Sequence, residues 1–228
     1  MAGKKIRAII TGATGMVGEG VMLQCLRHPN VEAVLIINRK ASGYKHPKLT
    51  EIVHADFYNL MPVEDQLVGY NACYFCLGIS SVGVNKDDYY KNTYLLTVGV
   101  AQTLAALNPD MTFCYVSGAG TDSNAKGTGW AAVKGKTEND LMKLPFKQVF
   151  AFRPGFIKPI KGQTKAHSFY KYIGWLFPVG RAVYAGWFVT LAEVAQAMIK
   201  VTQDGYHTPV IEGKDIIALG KNSLTSFR

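Results

Sequence analysis

Between residues 141 and 192 the chain has no aspartate or glutamate, although it has Lys143, Lys147, Arg153, Lys158, Lys161, Lys165, Lys171 and Arg181 there. Much of the formal charge of +9 therefore comes from one stretch. Such a stretch favours anions: a dinucleotide phosphate, an acidic substrate, an anionic membrane surface or nucleic acid, with a solvated basic face as the plain alternative. Helix-turn-helix, zinc and RNA-binding signatures are missing, which makes nucleic acid the weakest of these partners. Long apolar runs are missing too. No uninterrupted run approaches the length of about 20 residues that a membrane-spanning helix needs, and the opening M-A-G-K-K leads into a strand without a signal-peptide core. A soluble, cytoplasmic protein is expected. Cysteine is scarce, and Cys25, Cys73, Cys76 and Cys114 all fall within apolar patterns, as reduced core residues do. Cys73 and Cys76 have C-x-x-C spacing, but on an extended strand residues three apart point to opposite faces, which suits neither a redox pair nor a metal site.

What the sequence does have is a run of 228 residues, 48% of them hydrophobic, enough for one α/β domain with a full core and short for two. Apolar strand patterns at residues 5–10, 33–37, 51–54, 72–76, 111–116 and 147–152 alternate with helical ones, the clearest at 16–28, 87–107, 131–144 and 191–201. A closing strand is read at 209–211. The expectation is a doubly wound, mostly parallel sheet with helices on both faces, spanning residues 1–228 as a single domain. Residues 154–190 form a small substrate-side appendage to it.

The chain is organised around I-I-T-G-A-T-G-M-V-G-E-G, where an apolar strand breaks into Gly12, Gly15 and Gly18 before an amphipathic helix. In that context Gly12 tightens the turn, Gly15 lets backbone amides approach a pyrophosphate, and Gly18 lets the helix lie close on the strand. Thr14, Met16 and Val17 belong to the same cradle, and the helix N-terminus supplies positive potential. The second strand ends in Asn38-Arg39-Lys40, where such folds read the adenosine ribose. An acid there would bind the ribose hydroxyls of NAD, whereas an arginine accommodates the extra phosphate of NADP. The acid is missing and Arg39 is present, so NADP(H) is favoured over NAD(H). Asp56 and Phe57 after the third strand are candidates to lie beside the adenine, and Leu77 and Gly78 after the fourth bring backbone next to the cofactor. Pro154 and Gly155 suit a loop that turns across the nicotinamide.

Together T-G-A-T-G-M-V-G, Asp56-Phe57, Leu77-Gly78, Ser117, Lys134 and Arg153-Pro154-Gly155-Phe156 resemble the short-chain dehydrogenase/reductase superfamily. The G-x-x-G-x-x-G spacing is similar to that of its epimerase/dehydratase-like members, and the chain as a whole is similar to small atypical oxidoreductases of the NmrA-like and Tat-interacting-protein-like kind. The resemblance covers nearly all of residues 4–213 and adds Phe156 to the cofactor-binding set. It implies that Ser117, ending the fifth strand, binds a substrate carbonyl. It also implies that Lys134 binds the nicotinamide ribose, and that a tyrosine four residues earlier exchanges the proton. That position is Trp130. An indole N–H can donate a hydrogen bond but has no ionisation near neutral pH, so the usual proton relay is broken.

Three readings follow. The chain reduces a carbonyl with its proton from water, Lys134 or another phenol such as Tyr89, Tyr90 or Tyr172. Or it acts on a quinone-like acceptor that needs little proton help. Or it binds NADPH without turnover and reports redox state to a protein partner. Asn92 matches, by helix position only, a residue that lies near the active-site water chain in the wider superfamily. From residue 166 to 189 the chain is rich in aromatics, with Phe169, Tyr170, Tyr172, Trp175, Phe177, Tyr184, Trp187 and Phe188. These can wall an apolar pocket, pack a dimer face or touch a membrane surface peripherally. Compared with longer epimerases this portion is abbreviated, so a small-molecule substrate fits better than a nucleotide sugar. Monomer and homodimer both stay open.

Overall fold

The computed structural model describes residues 5–127, 129–164, 177–184 and 186–224. Its strands are β1 (Ile6–Thr11), β2 (Val31–Asn38), β3 (Leu49–Val53), β4 (Ala72–Phe75), β5 (Thr112–Val116), β6 (Gln148–Arg153), β7 (Phe156–Lys158), β8 (Phe188–Thr190) and β9 (Val210–Glu212). Seven of them form one sheet in the order β3-β2-β1-β4-β5-β6-β9, every neighbouring pair parallel. A parallel sheet covered on both faces demands strands that are apolar at nearly every position. In β1, Ala8 and Ile10 enter one face and Ile9 the other; β2 repeats this with Val34 and Ile36 against Leu35 and Ile37.

Helices supply both covers. The first face is packed by α1 (Met16–Arg27) through Val21, Met22 and Cys25, and by two helices near the end of the chain. The second face is packed through Leu96, Val100, Ala101 and Leu104 of α3 (Leu96–Leu107) and Leu141 of α4 (Trp130–Leu141). Phe75 and Phe113 stack on this second face at 5.8 Å between ring centres, with Phe146 on Phe113 at 5.0 Å. Cys73 sits there, whereas Cys76 packs on the first face with Cys114, so the C-x-x-C pair is split by the sheet. All four cysteines are free thiols.

The helix expected at 87–107 is interrupted. It runs as α2 (Lys86–Tyr90), a π-helical turn (Lys91–Leu95) and α3. The helix expected to reach residue 144 stops at Leu141, because Pro145 excludes helical backbone at Leu144 and could not itself donate to the helix ladder. Past β6 lies a small two-stranded parallel sheet, β7 against β8, flanked by α5 (Phe177–Val183). Thr190 and Glu193 form a capping box that starts α6 (Leu191–Asp204), and Arg181 of α5 joins the same carboxylate at 2.5 Å. A last helix absent from the sequence reading, α7 (Gly213–Leu224), closes the first face together with α6; α6 packs beside α1, and α7 packs on α6. No helix among the described residues is long and apolar enough to cross a membrane.

Candidate functional site

The carboxyl ends of β1, β4, β5 and β6 lie side by side along one edge of the parallel sheet, with the glycine turn following β1. Gly12 has φ of +71°, and a Cβ there would lie 2.7 Å from the carbonyl oxygen of Cys76. At Gly18 a Cβ would lie 2.2 Å from the Gly12 oxygen. Only glycine fits either place. The Gly15 amide donates to Gly12 O at 2.9 Å, and Gly15 begins α1 with no side chain capping it. A helix start left to its own amides, behind a turn without side chains, is a cradle that fits a pyrophosphate. Thr14 is exposed beside it, while Met16 and Val17 turn partly into the first core face.

Two clefts share Arg39. One, of about 590 Å³, is lined by Ala13, Thr14, Arg39, Lys40, Ala41, Ser42 and Tyr44. The other is bounded by Arg39, Asp56, Phe57, Leu77, Gly78 and Asn92 among others. Arg39 is exposed and reaches both. Asn38, expected to meet the cofactor, is instead 3% exposed, and its amide donates to Glu51 Oε1 at 2.7 Å. Its side chain belongs to the β2–β3 seam. Glu51 also accepts from the Ser42 amide at 2.8 Å, so this carboxylate is committed to shaping the loop. Phe57 is buried in the second core cluster, and Asp56 accepts from the Tyr58 amide at 2.9 Å. Asn92 lies in the π-helical turn, its amide bonded to Asp88 O at 2.8 Å. A π turn is a frequent mark of a functional position on a helix.

Ser117 directly follows β5. Its hydroxyl lies 3.0 Å from that of Thr121, which donates its single hydrogen to Gly118 O at 2.7 Å. The hydrogen between the two hydroxyls must then be Ser117's, which leaves the serine lone pairs for other partners. The Lys134 amine, one turn into α4, donates to Val116 O at 3.4 Å and sits 5.4 Å from the centre of the Tyr115 ring. Burial lowers its pKa to about 8, against the upward pull of Glu138. Ser117 and Lys134 are thus brought to the same strand end. Trp130 starts the same helix, and its six-membered ring lies over the Gly118–Gly120 turn, 41% exposed. Tyr89 is buried, its pKa raised first by desolvation, and Tyr90 packs on Tyr94 at 4.9 Å. Tyr172, Phe169, Tyr170 and Trp175 lie outside the described residues.

The end of β6 and the loop beyond it are pinned to the loop after β5: the Ser117 amide bonds Phe152 O at 2.8 Å and the Ala119 amide bonds Pro154 O at 3.0 Å. Gly155 carries the Trp187 indole, and Phe156 packs its ring on Phe188 at 5.5 Å, within the appendage. Arg153 holds both oxygens of the buried Glu138, at 3.1 and 2.5 Å, together with Ser123 Oγ at 2.7 Å and Glu212 at 3.3 Å.

Sequence reasoning did not single out Glu19. This fully buried carboxylate on α1 accepts from the Tyr44 phenol, the Thr164 amide at 2.8 Å and the Thr164 hydroxyl at 2.7 Å. Gln163 reaches the same helix start, donating to Met16 O at 2.6 Å. The signal was present in the motif itself, as one acid immediately after Gly18 on the packed face of a helix. Thr121 carried no signal beyond its place four residues after Ser117.

The NAD dependent epimerase/dehydratase family matches residues 8–130 of this chain. A protein of Aspergillus terreus named "Protein fmp52-1, mitochondrial" is 26% identical over 93% of this chain and 97% of its own length. Among solved structures, the UDP-N-acetylglucosamine 4-epimerase of Methanobrevibacter ruminantium, in complex with UDP-N-acetylmuramic acid, superposes with a TM-score of 0.66. It is 18% identical and covers 91% of this chain and 76% of its own. The Bordetella bronchiseptica enzyme WbmG, in complex with NAD, gives 0.66 at 14% identity, over 98% of this chain and 79% of its own. These likenesses establish the Rossmann-like fold. The Aspergillus name corrects one expectation: a cytoplasmic location, read from a start without a signal-peptide core, is contradicted by a relative designated mitochondrial.

Proposed function

This chain belongs to the NAD dependent epimerase/dehydratase family, and from that premise we propose that it is an NADP(H)-binding oxidoreductase of a small or apolar carbonyl or quinone-like compound. The observation that carries this reading is the convergence of Ser117 and Lys134: the lysine amine bonds the carbonyl of Val116, the residue before the serine. Gly12, Gly15 and Gly18 hold the pyrophosphate on the start of α1. Lys134 holds the nicotinamide ribose, and Asp56, Phe57, Leu77 and Gly78 line the adenine end. When bound, the reduced nicotinamide supplies a hydride. Ser117 orients the substrate oxygen, and to donate to it the hydroxyl must first swing its hydrogen away from Thr121.

Arg39 supports NADP over NAD. It is the cation shared by both adenosine-side clefts, and neighbouring Glu51 is already occupied by Asn38 and Ser42. Titration with NADPH and NADH tests this. NADPH is expected to bind more tightly, and Arg39→Ala to weaken NADPH alone by roughly tenfold to a hundredfold, as loss of a hydrogen bond to a charged group does. Binding of neither nucleotide overturns the reading.

Trp130 favours a second reading, a noncatalytic NADPH sensor that acts through a protein partner. A half-exposed indole stands where proton exchange would need a phenol. A panel of carbonyl and quinone acceptors with NADPH separates the two. Turnover abolished by Ser117→Ala supports the enzyme; no hydride transfer to any acceptor leaves the sensor.

A further inference from the structure

We propose that Trp130 and Trp187 form a paired aromatic platform that binds the flat ring of a conjugated, quinone-type carbonyl compound. This rests on the oxidoreductase reading above and narrows its substrate class. The two indoles stand on neighbouring backbone. Trp130 lies on the turn after β5, where a Cβ added to Gly120 would be 3.5 Å from its ring, and Trp187 lies on the loop after β6, where a Cβ on Gly155 would be 2.9 Å from its ring. The bond from the Ala119 amide to Pro154 O ties those two loops together, and Ser117 begins the first of them. Glycine at 120 and 155 removes every side chain between ring and backbone, so each indole has a rigid floor.

Both tryptophans are nevertheless well exposed as residues, Trp130 at 41% and Trp187 at 52%. The base of Trp187 is fixed: its carbonyl accepts from the Phe156 amide at 2.8 Å and its amide donates to Tyr184 O at 2.9 Å. In the small sheet and its flanking helix, Phe156, Phe177 and Phe188 pack ring against ring at 5.5 to 6.3 Å. Two anchored, half-open indoles at the substrate end of a dinucleotide fold match a flat, electron-poor ring, because stacking sets the electron-rich indole face against it. The chemistry agrees. A quinone that takes up the hydride becomes a hydroquinone anion, with its charge on a phenol-like oxygen whose conjugate acid has a pKa near ~10, whereas a simple ketone or aldehyde becomes an alkoxide, which resembles hydroxide, whose parent water has a pKa near ~16. Only the second requires the acid that Trp130 cannot be.

The test is calorimetric titration of the intact protein, with and without saturating NADPH, using 2,3-dimethyl-1,4-naphthoquinone, whose ring carbons are blocked against thiols. Its saturated counterpart, a decalindione of the same outline, is the control. The naphthoquinone is expected to bind at least about tenfold more tightly than the puckered control. Trp130→Ala and Trp187→Ala are each expected to weaken it by about threefold to tenfold, while Trp130→Phe and Trp187→Phe retain most of the affinity. No binding of the naphthoquinone, equal binding of both compounds, or indifference to all four substitutions overturns the platform. Failure of NADPH to bind would sink the oxidoreductase reading and leave the naphthoquinone result to be judged separately.

Discussion

The amine of Lys134 lies under the end of β5, where burial lowers its pKa to about 8 from the ordinary 10.5. Between those values the unfolded chain binds more protons than the folded one, so this lysine makes stability rise with pH across that window. The stabilisation is fully present above the unfolded pKa and is lost as pH falls through the folded one. One proton contributes at most about 1.4 kcal/mol per pH unit. Lys134→Met is therefore expected to be more stable than the parent at pH 7.5, by an advantage that shrinks steadily towards pH 10. Urea midpoints measured across that range check it, and a constant difference would contradict it. At this scale residue type and spacing sufficed to place Ser117, Trp130 and Lys134 around one strand end. The sequence was silent where chemistry depends on a partner brought from elsewhere: nothing in the string says that Asn38 is spent on Glu51, or that Ser117 hands its hydrogen to Thr121.

Among the elements, α1 has two tasks. Its start faces the glycine turn, and Glu19, one turn in, fastens Tyr44 of the loop after β2 and Thr164 of the loop after β7. The helix thus staples the rim of the cleft beside Arg39 to the root of the appendage. Glu19→Ala would leave the Thr164 amide and hydroxyl and the Tyr44 phenol without their acceptor, at about 1–3 kcal/mol for each group that stays buried. Exchange of the Thr164 amide with solvent deuterons is expected to quicken at least about tenfold, since a group released by local opening is read directly in that way. An unchanged rate would show that the staple is not what holds this loop. Most long apolar elements were legible because their periodicity covers several turns or strand positions, although α7, twelve residues long, was missed. The strands β7 and β8 were not legible, since their pairing depends on residues about thirty positions apart. The π turn was hidden for a related reason: its residues carry the same apolar spacing that an unbroken helix would.

Across the whole molecule, Arg153 joins four pieces of chain: β6, Glu138 of α4, Ser123 of the loop before it, and Glu212 of β9 at the sheet's edge. Arg153→Met strands the buried Glu138 and is expected to lower stability by about 3–5 kcal/mol, whereas Arg153→Met with Glu138→Leu recovers most of it, because apolar side chains pack where the ions stood. Urea midpoints at unchanged slope measure both, and a double variant no better than the single would refute the account. The same architecture governs how the chain comes to be folded. Every neighbouring pair in the seven-stranded sheet is parallel, so no pairing can begin with a hairpin, and each must await a crossover. The helix that packs beside α1 arrives late, since α6 begins at Leu191. A nascent chain halted before that point presents the bare apolar side of α1 to chaperones and proteases, and the glycine turn in front of that helix settles only once α6 has been made.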